Sequence, residues 1–436
     1  MKQTSPESAA TRLMQIKAQQ DRRSKRRLRS ALITIGSIAA LFGAIVLVLN
    51  HSGSMLSGLL GDTPGVDLEM QQAQEAMQET STVTVAAVGN LSISDAQLAD
   101  ARGNDLYDFS PSFLGVAELL NETDLTIGNL ECNFNGAPFG TDSASAPNAL
   151  ADTLVGLGFD LLQTSNSASI HNGVNGLVAT NNAIVDAGMQ PVGTFVSAKE
   201  RNACGGMTLR EINGVRVGFI AFTKGLDNMS LPSDSQYAIH LLYEDYDTNY
   251  TKLNTAGIEA AMKAAREQEP DVLIALVHWG SEYSREITSA QKRVEELLYE
   301  NGADAIIGTH SHLVGAVKDK EITVSGAKKR VLTAYDLGSF YTESSRSDIQ
   351  TGLVLRLEFT KNNWTGQTSL TDWSYTPVYC ADFGPRETHR FQIMNLQNAI
   401  EMYESNYVFR VPDKVYEDLK EIQEELPEYL QLEEKE

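Results

Sequence analysis

The sequence predicts a layered domain of the α/β or α+β class, in which helices pack against β-sheets. Short apolar runs of strand length alternate along the chain with segments that have a helical pattern. Two of these runs, Val272–Val277 and Ala305–Ile307, lead into histidine-bearing turns, as buried parallel strands often do. The dipeptide Asn213-Gly214 separates two alternating runs and predicts a β-hairpin. Strand–helix units with an interspersed hairpin are typical of layered domains.

The predicted elements begin at Thr82, which leads into the β-branched run VTVAAVG that ends at Gly89. Ser110 caps a predicted helix that extends to Leu120, because Pro111 suits the first helical turn. The other predicted helices cover residues 148–157, 176–187, 255–268 and 289–301, and Gly302 caps the last of them. The other predicted strands cover residues 124–127, 159–163, 190–193, 207–212, 215–222, 272–277, 305–307, 331–336 and 353–359.

The N-terminal region predicts a membrane anchor. The run Ala31–Leu49 carries no charge and would span about 28 Å as a helix, close to the hydrocarbon thickness of a bilayer. A buried soluble helix would present a polar face, and a cleaved secretory signal would have a shorter apolar region. The basic cluster Arg22–Arg29 precedes the run, so we expect a cytoplasmic N-terminus and an extracytoplasmic body.

Charge is distributed unevenly between this anchor and the rest of the chain. The chain has 35 basic and 57 acidic residues, a net charge of −22. Residues 1–30 hold nine of the basic and two of the acidic residues, which leaves 26 basic and 55 acidic residues, a net charge of −29. Such an acidic body should repel nucleic acid, so we expect no nucleic-acid partner.

Composition divides the chain into five segments. We predict a basic cytoplasmic segment (1–30), a transmembrane helix (31–50), a stalk rich in Gly, Ser, Gln and Glu (51–81), a folded domain (82–385) and a C-terminal helical, acidic extension (386–436). The tail Asp413–Glu436 has leucines at partial helical spacing, and we expect a solvated helix or a disordered end there.

The three cysteines, Cys132, Cys204 and Cys380, lack the spacing of a metal finger. An exported chain could form one disulfide from them, but their spacing does not determine a pairing. Three buried small apolar side chains are the alternative interpretation.

Three of the seven histidines are predicted to lie at one edge of a sheet. His278 directly follows one apolar run, and His310 and His312 follow the next. Because open α/β sheets bind ligands at the carboxyl ends of their strands, these imidazoles should converge. The His-x-His pair projects two imidazoles from one turn, which suits a transition metal. The pattern therefore predicts metal or anion binding, with solvated loop histidines as the alternative.

Five segments of the chain share their order and spacing with a known protein family. They are VTVAAVGN at 83–90, DLTIGNLE at 124–131, GFDLLQTSNSASIHNGVNGL at 158–177, HWGSEY at 278–283 with GTHSH at 308–312, and YDLGSF at 335–340. This set resembles the poly-γ-glutamate capsule synthesis protein family CapA. The resemblance implies a calcineurin-like metallophosphatase-type fold for residues 82–385, a four-layer α/β/β/α sandwich preceded by one transmembrane helix.

The resemblance also implies a set of site residues. The metal ligands would be Glu131, His278, His310 and His312, which could hold one divalent Zn, Mn or Fe ion, although a site without metal is also open. Glu282 also stands at a family position and could orient an imidazole.

Several positions depart from the family pattern. Asn90 stands where the family has its first acidic ligand, and a neutral amide gives a metal no negative charge. The family's Asn-Asn-His falls on Asn166, Ser167 and Ala168, so the histidine is missing and Ala168 cannot transfer a proton. His171 replaces a family aspartate and could supply some of the missing chemistry if its loop folds inward.

Three amide side chains are predicted to line the cleft. They are Asn90, Asn129 and Asn166. Asn129 and Asn166 could instead tie their own turns through backbone contacts.

The resemblance implies a membrane-anchored, extracytoplasmic protein of capsule or poly-γ-glutamate biosynthesis or export, with a partly degenerate metal site. Its partners would be the membrane, through the N-terminal helix, and the capsule polymer or the subunits that synthesise it. Two alternatives remain open. One is a metal-dependent hydrolase of phosphoester or γ-glutamyl bonds, with His171 and Glu282 as catalytic residues. The other is a non-catalytic scaffold or binding module.

Overall fold

The computed structural model describes residues 80–103, 106–324, 326–385, 389–405 and 411–432. The predicted cytoplasmic segment, the transmembrane helix at 31–50 and the stalk up to residue 79 lie outside these ranges. Within the ranges, none of the helices is both long and apolar enough to cross a bilayer.

The described strands and helices follow one another in a mixed order. The strands are β1 (Thr80–Leu91), β2 (Leu125–Leu130), β3 (Leu161–Gln163), β4 (Gln190–Val192), β5 (Thr208–Ile212), β6 (Val215–Thr223), β7 (Val272–His278), β8 (Ala305–Thr309), β9 (Val317–Val324), β10 (Ala327–Ala334), β11 (Ser339–Tyr341), β12 (Thr351–Asn362), β13 (Thr368–Asp382) and β14 (Phe391–Asn395). The helices are α1 (Asp95–Ala101), α2 (Ala117–Leu120), α3 (Ala149–Gly156), α4 (Gly173–Ala187), α5 (Ala198–Ala203), α6 (Thr255–Arg266), α7 (Ser289–Glu300), α8 (Leu396–Glu404) and α9 (Asp413–Leu430).

Two β-sheets form the centre of the domain. The first sheet has the strand order β14-β13-β12-β1-β2-β3-β4, and β11 also pairs with β1. Strands β1 to β4 are parallel, whereas β12, β13 and β14 pair antiparallel. The second sheet has the order β5-β6-β7-β8-β10-β9, in which β6, β7, β8 and β10 are parallel. The predicted hairpin is present as β5 and β6, which pair antiparallel around Asn213.

The two sheets are stacked between two layers of helices. Ile274 of β7 faces the first sheet, whereas its neighbour Leu273 packs with α6 and α7. Val85 of β1 faces the second sheet, whereas Ala86 packs with α1, α3 and α4. Successive side chains of a strand point to opposite faces, so these neighbouring residues show that both faces of each sheet are buried. Burial on both faces explains the continuous apolar runs. The layers therefore follow the order α/β/β/α, and the predicted α/β class is confirmed.

The carboxyl end of β1 lies directly against the turn that joins β10 to β11. The backbone N–H of Asn90 donates to the carbonyl of Gly338 at 3.0 Å. A Cβ on Gly89 would lie 2.0 Å from that carbonyl oxygen, so only glycine allows the approach. This contact holds Asn90 in place at the strand end.

The helix predicted from Ser110 to Leu120 is interrupted. The structure has a 3₁₀ turn at Ser110–Phe113 and then the short helix α2. Between them, Gly115 forms a parallel β-bridge with Met394, and a Cβ on Gly115 would lie 2.5 Å from the carbonyl oxygen of Ile393. Contact with β14 therefore overrides the local helical preference.

The C-terminal tail is a packed helix, so the expectation of a solvated or disordered end is wrong for the described part. Its apolar residues form one buried stripe on α9: Val415, Leu419, Ile422, Leu426 and Leu430. Part of this stripe packs with α8 and β13, and its C-terminal end reaches the apolar layer between the sheets. The acidic residues that suggested solvation lie largely on the opposite face.

The C-terminal region is integral to the domain in two further ways. Strand β14 extends the first sheet beyond the predicted domain end at residue 385. Helix α9 also contacts the loop that follows β7. The guanidinium of Arg285 in that loop lies 3.5 Å from the centre of the ring of Tyr429 in α9.

All three cysteines are unpaired. Cys132 and Cys380 are buried in the apolar layer between the first sheet and its helices, and Cys204 is half-buried. The interpretation as small apolar side chains therefore holds for the two buried cysteines.

Truncation of Leu419 should destabilise the protein, because this side chain is fully buried on the inner face of α9. We expect Leu419→Ala to lower the free energy of unfolding by about 2–5 kcal/mol. The matched control is Glu424→Ala on the exposed face of the same helix, which should change it by less than about 0.5 kcal/mol. Denaturant titration of the two variants makes the comparison, and equal midpoints would contradict the packing of α9.

Candidate metal centre

The ends of four parallel strands from the two sheets meet at one site. Asn90 lies at the end of β1, and Glu131 immediately follows β2. His278 is the last residue of β7, and the turn after β8 carries His310 and His312. The structure therefore brings together the carboxylate and the three imidazoles that the sequence singled out.

Glu131 lies between two of the imidazoles. Its Oε1 is 3.5 Å from Nδ1 of His278, and its Oε2 is 3.7 Å from Nε2 of His312. Burial raises the pKa of Glu131 to about 8, the hydrogen bond from Asn129 opposes this rise, and the negative charge of Glu282 adds to it. A nearby positive charge would be needed to keep this carboxyl ionised at neutral pH.

His278 and His310 form a close pair of buried rings. Their centroids are 4.4 Å apart. The Nδ1 of His278 lies 3.2 Å from the hydroxyl of Thr309, while its Nε2 is buried and has no hydrogen-bond partner among the described residues. Burial lowers the pKa of His278 well below its usual range and that of His310 to about 3, and the charge of Lys224 adds to both effects. Both rings are therefore neutral, the state in which imidazole binds a metal.

The turn that carries two of the histidines is held in an unusual backbone conformation. His310 has φ 114° and His312 has φ 62°, both in the region that favours glycine. Asp336 supports this turn, since its carboxylate accepts the backbone N–H of Ser311 at 2.7 Å and that of Gly338 at 2.8 Å. Burial raises the pKa of Asp336 to about 7.

The predicted lining amides lie behind this cluster as one connected row. Asn166 donates to Asn129 at 2.9 Å, and Asn129 donates to Asn90 at 2.8 Å. The amide nitrogen of Asn90 then lies 3.1 Å from Nδ1 of His312. All three asparagines are fully buried.

The predicted catalytic residues lie farther out. Glu282 is exposed, although its charge raises the pKa of Lys224 and of His312 against the dominant lowering by burial. His171 is also exposed, and its imidazole has no partner within the described ranges. Ser167 is half-buried, and Ala168 contributes only its backbone groups, to Asn166 and Asn133.

Sequence reasoning missed three residues of the site: Lys224, Tyr283 and Asp336. The ammonium of Lys224 donates to the carbonyl of Gly280 at 2.6 Å and lies 4.8 Å from the centre of the Tyr250 ring. Tyr283 stacks on His312 with 5.7 Å between ring centroids. Asp336 and Tyr283 lie inside quoted motifs, whereas no motif marks Lys224.

The chemical types of these side chains suit one divalent metal, but their arrangement in the structure does not. Neutral imidazoles, an unpartnered buried Nε2 on His278 and a carboxyl that needs a counter-charge all fit a transition metal. In the described part of the chain, however, no three His, Cys, Asp or Glu side chains are arranged to hold a metal ion. The carboxylate of Glu131 instead faces Nδ1 of His278 and Nε2 of His312 directly.

Comparison with known proteins gives the family. The family model described as bacterial capsule synthesis protein PGA_cap matches residues 84–344, more than half of the chain. The chain belongs to this family. Its curated relatives include the PGA biosynthesis protein CapA of Bacillus subtilis, 21% identical over 265 residues, and the capsule biosynthesis protein CapA of Bacillus anthracis, 22% identical over 273 residues. The matches cover 59% and 60% of this chain respectively, and 60% of each relative's length. The predicted CapA resemblance is confirmed.

Solved structures with related chain paths include a phosphatase from Mycoplasma pneumoniae. It is 13% identical, with a TM-score of 0.41, and the alignment covers 68% of this chain and 94% of that chain.

The raised pKa of Glu131 predicts how the metal-free PGA_cap domain responds to pH. Glutamate in the unfolded chain ionises near 4.5, but Glu131 in the folded chain ionises near 8, so folding takes up a proton between these values. The contribution of protonated Glu131 to the free energy of unfolding is complete below pH 4.5 and is lost as the pH rises toward 8. Glu131→Gln cannot ionise, so it should gain stability over the wild type by up to about 1.4 kcal/mol per pH unit in this window.

Denaturant titrations with a chelator, at about pH 5 and about pH 8.5, measure this difference. Glu424→Gln, on the exposed face of α9, serves as the matched control and should follow the wild type much more closely. Parallel stability curves for Glu131→Gln and the wild type would contradict the buried, protonated Glu131.

Proposed function

We propose that this protein is an anchored CapA-like component of capsule or poly-γ-glutamate biosynthesis or export, with its domain on the outer side of the cell membrane. The observation that carries the proposal is the PGA_cap match across residues 84–344. Two curated relatives named for PGA or capsule biosynthesis support it. We further propose that the layered domain is of metallophosphatase type, with a site reduced by the changes at Asn90 and Ala168.

The proposed location rests on the N-terminal sequence. The uncharged run Ala31–Leu49 has the length of a membrane span, and the basic cluster Arg22–Arg29 precedes it. An anchor of this kind would hold the domain where a polymer emerges from the membrane. The acidic body repels a polyanion, so contact with poly-γ-glutamate would be local or bridged by cations.

A second candidate function is a metal-dependent hydrolase of phosphoester or γ-glutamyl bonds. The buried, unpartnered Nε2 of His278 favours it, because such an atom suits a metal ligand. A bound divalent metal would supply an activated water. Glu131 would contribute the negative charge, and His278 and His310 would contribute neutral nitrogen ligands. Neither Ala168 nor the exposed His171 provides a buried proton donor beside them.

Deletion of the gene tests the capsule role. We expect the deletion to reduce the amount or the attachment of surface polymer, and we expect the full-length gene to restore it. Full-length protein should be found in the membrane fraction, whereas a variant that lacks residues 1–50 should not be found there and should not restore the polymer. Unchanged polymer in the deletion strain would contradict the proposed function.

Complementation and metal analysis together separate a hydrolase from a scaffold. If the site acts through a metal, purified full-length protein should contain up to one equivalent of Zn, Mn or Fe, and His278→Ala with His310→Ala should remove both the metal and the complementation. The exposed His389→Ala is the matched control and should retain both. Complementation by the metal-free double variant would instead favour a scaffold.

A further inference from the structure

The hydrogen bonds that link Asn166, Asn129 and Asn90 can run in only one donor-to-acceptor direction, because the backbone fixes the orientation of the Asn166 amide. The side-chain oxygen of Asn166 accepts the backbone N–H of Ala168 at 3.1 Å, and its amide nitrogen donates to the carbonyl of Leu130 at 2.7 Å. A backbone N–H can only donate and a backbone carbonyl can only accept. The oxygen and the nitrogen of Asn166 therefore cannot exchange places without losing both bonds.

The orientation of the Asn166 amide determines the orientation of the next two amides and the atom that faces His312. The nitrogen of Asn166 donates to the oxygen of Asn129, so the nitrogen of Asn129 donates to the oxygen of Asn90. The nitrogen of Asn90 is thereby the atom that faces Nδ1 of His312, at 3.1 Å. Reversing any one amide would oppose two donors or two acceptors in a fully buried setting, and each unsatisfied buried group costs about 1–3 kcal/mol.

The ring of His312 is consequently restricted to one tautomer. Because Asn90 donates to Nδ1, this nitrogen must accept, and a neutral imidazole then carries its proton on Nε2. That Nε2 faces the carboxylate of Glu131 at 3.7 Å. A metal ligand must offer a nitrogen lone pair, but the lone pair of Nδ1 is occupied and Nε2 bears hydrogen. Neither ring nitrogen of His312 is available to a metal.

We infer that Asn90 acts as a positioning residue that excludes His312 from the metal ligands and directs its Nε2–H toward Glu131. The ligand set is then reduced from four residues to Glu131, His278 and His310. An aspartate at position 90 can only accept, so it would draw the proton of His312 to Nδ1 and free Nε2 for a metal. This reduced set of metal ligands rests on the proposed metal site, whereas the tautomer of His312 does not.

The tautomer is measured directly by NMR. Full-length protein labelled with ¹⁵N-histidine, free of metal and at a pH where His312 is neutral, should give the ¹⁵N pattern of a proton on Nε2. His312→Ala assigns the signal. Asn90→Asp should move the proton to Nδ1, while Asn182→Asp, which adds the same charge on the exposed face of α4, should leave it on Nε2. A proton on Nδ1 in the wild type would overturn the inference.

Zn²⁺ titration of the same proteins tests the ligand set. With Asn90 present, His310→Ala should raise the Kd for Zn²⁺ at least about tenfold, whereas His312→Ala should raise it less than about threefold. In the Asn90→Asp background, His312→Ala should raise the Kd at least about tenfold. Equal losses from His310→Ala and His312→Ala in the wild-type background would overturn the reduced ligand set.

Failure of the proposed metal site is distinguishable from failure of this inference. If the wild type does not bind Zn²⁺, the metal-dependent hydrolase fails, and the NMR tautomer alone decides the role of Asn90. If Zn²⁺ binds but His312 carries its proton on Nδ1, the metal site stands and the role of Asn90 is refuted.

Discussion

The burial of Glu131 between the ends of two sheets is the constraint on which the whole site depends. A carboxylate in this position has little water to stabilise its charge, so every neighbouring donor affects whether it ionises. Asn129 donates to it, and the rings of His278 and His312 flank it. The packing of the two sheets face to face brings these groups together, since Glu131 follows a strand of one sheet and the histidines lie at or just after the ends of strands of the other.

Much of the fold could be predicted because buried parallel strands leave a strong pattern. The runs at Val272–Val277 and Ala305–Ile307 are apolar on both faces, and each is covered on both sides in the structure. The predictions that failed depend on contacts distant in sequence. The helix from Ser110 is broken by the bridge between Gly115 and Met394, and the acidic tail is ordered by apolar surface on β13 and between the sheets.

The candidate site could be predicted only in part, because sequence order gives the strand ends but not the direction of a side chain. The convergence of His278, His310 and His312 follows from the parallel topology of one sheet, whereas only the family resemblance placed Glu131 beside them. The exposure of His171 and the approach of Lys224 do not, since loop conformation decides both. The asparagines had two predicted roles, lining the cleft or tying turns. In the structure Asn166 has both, since it bonds the backbone at Leu130 and Ala168 while donating to Asn129.

The place of β12 has a consequence for how fragments of this family behave. The family match ends at residue 344, yet β12 begins at Thr351 and pairs with β1 from Val88 to Thr80. A polypeptide cut where the match ends would leave one side of β1 without its partner, and unpaired strand edges recruit other chains. The limits of sequence similarity in this protein are therefore not the limits of an independently soluble module. The part of the chain that follows residue 344 supplies β12, the strand that covers this edge of β1.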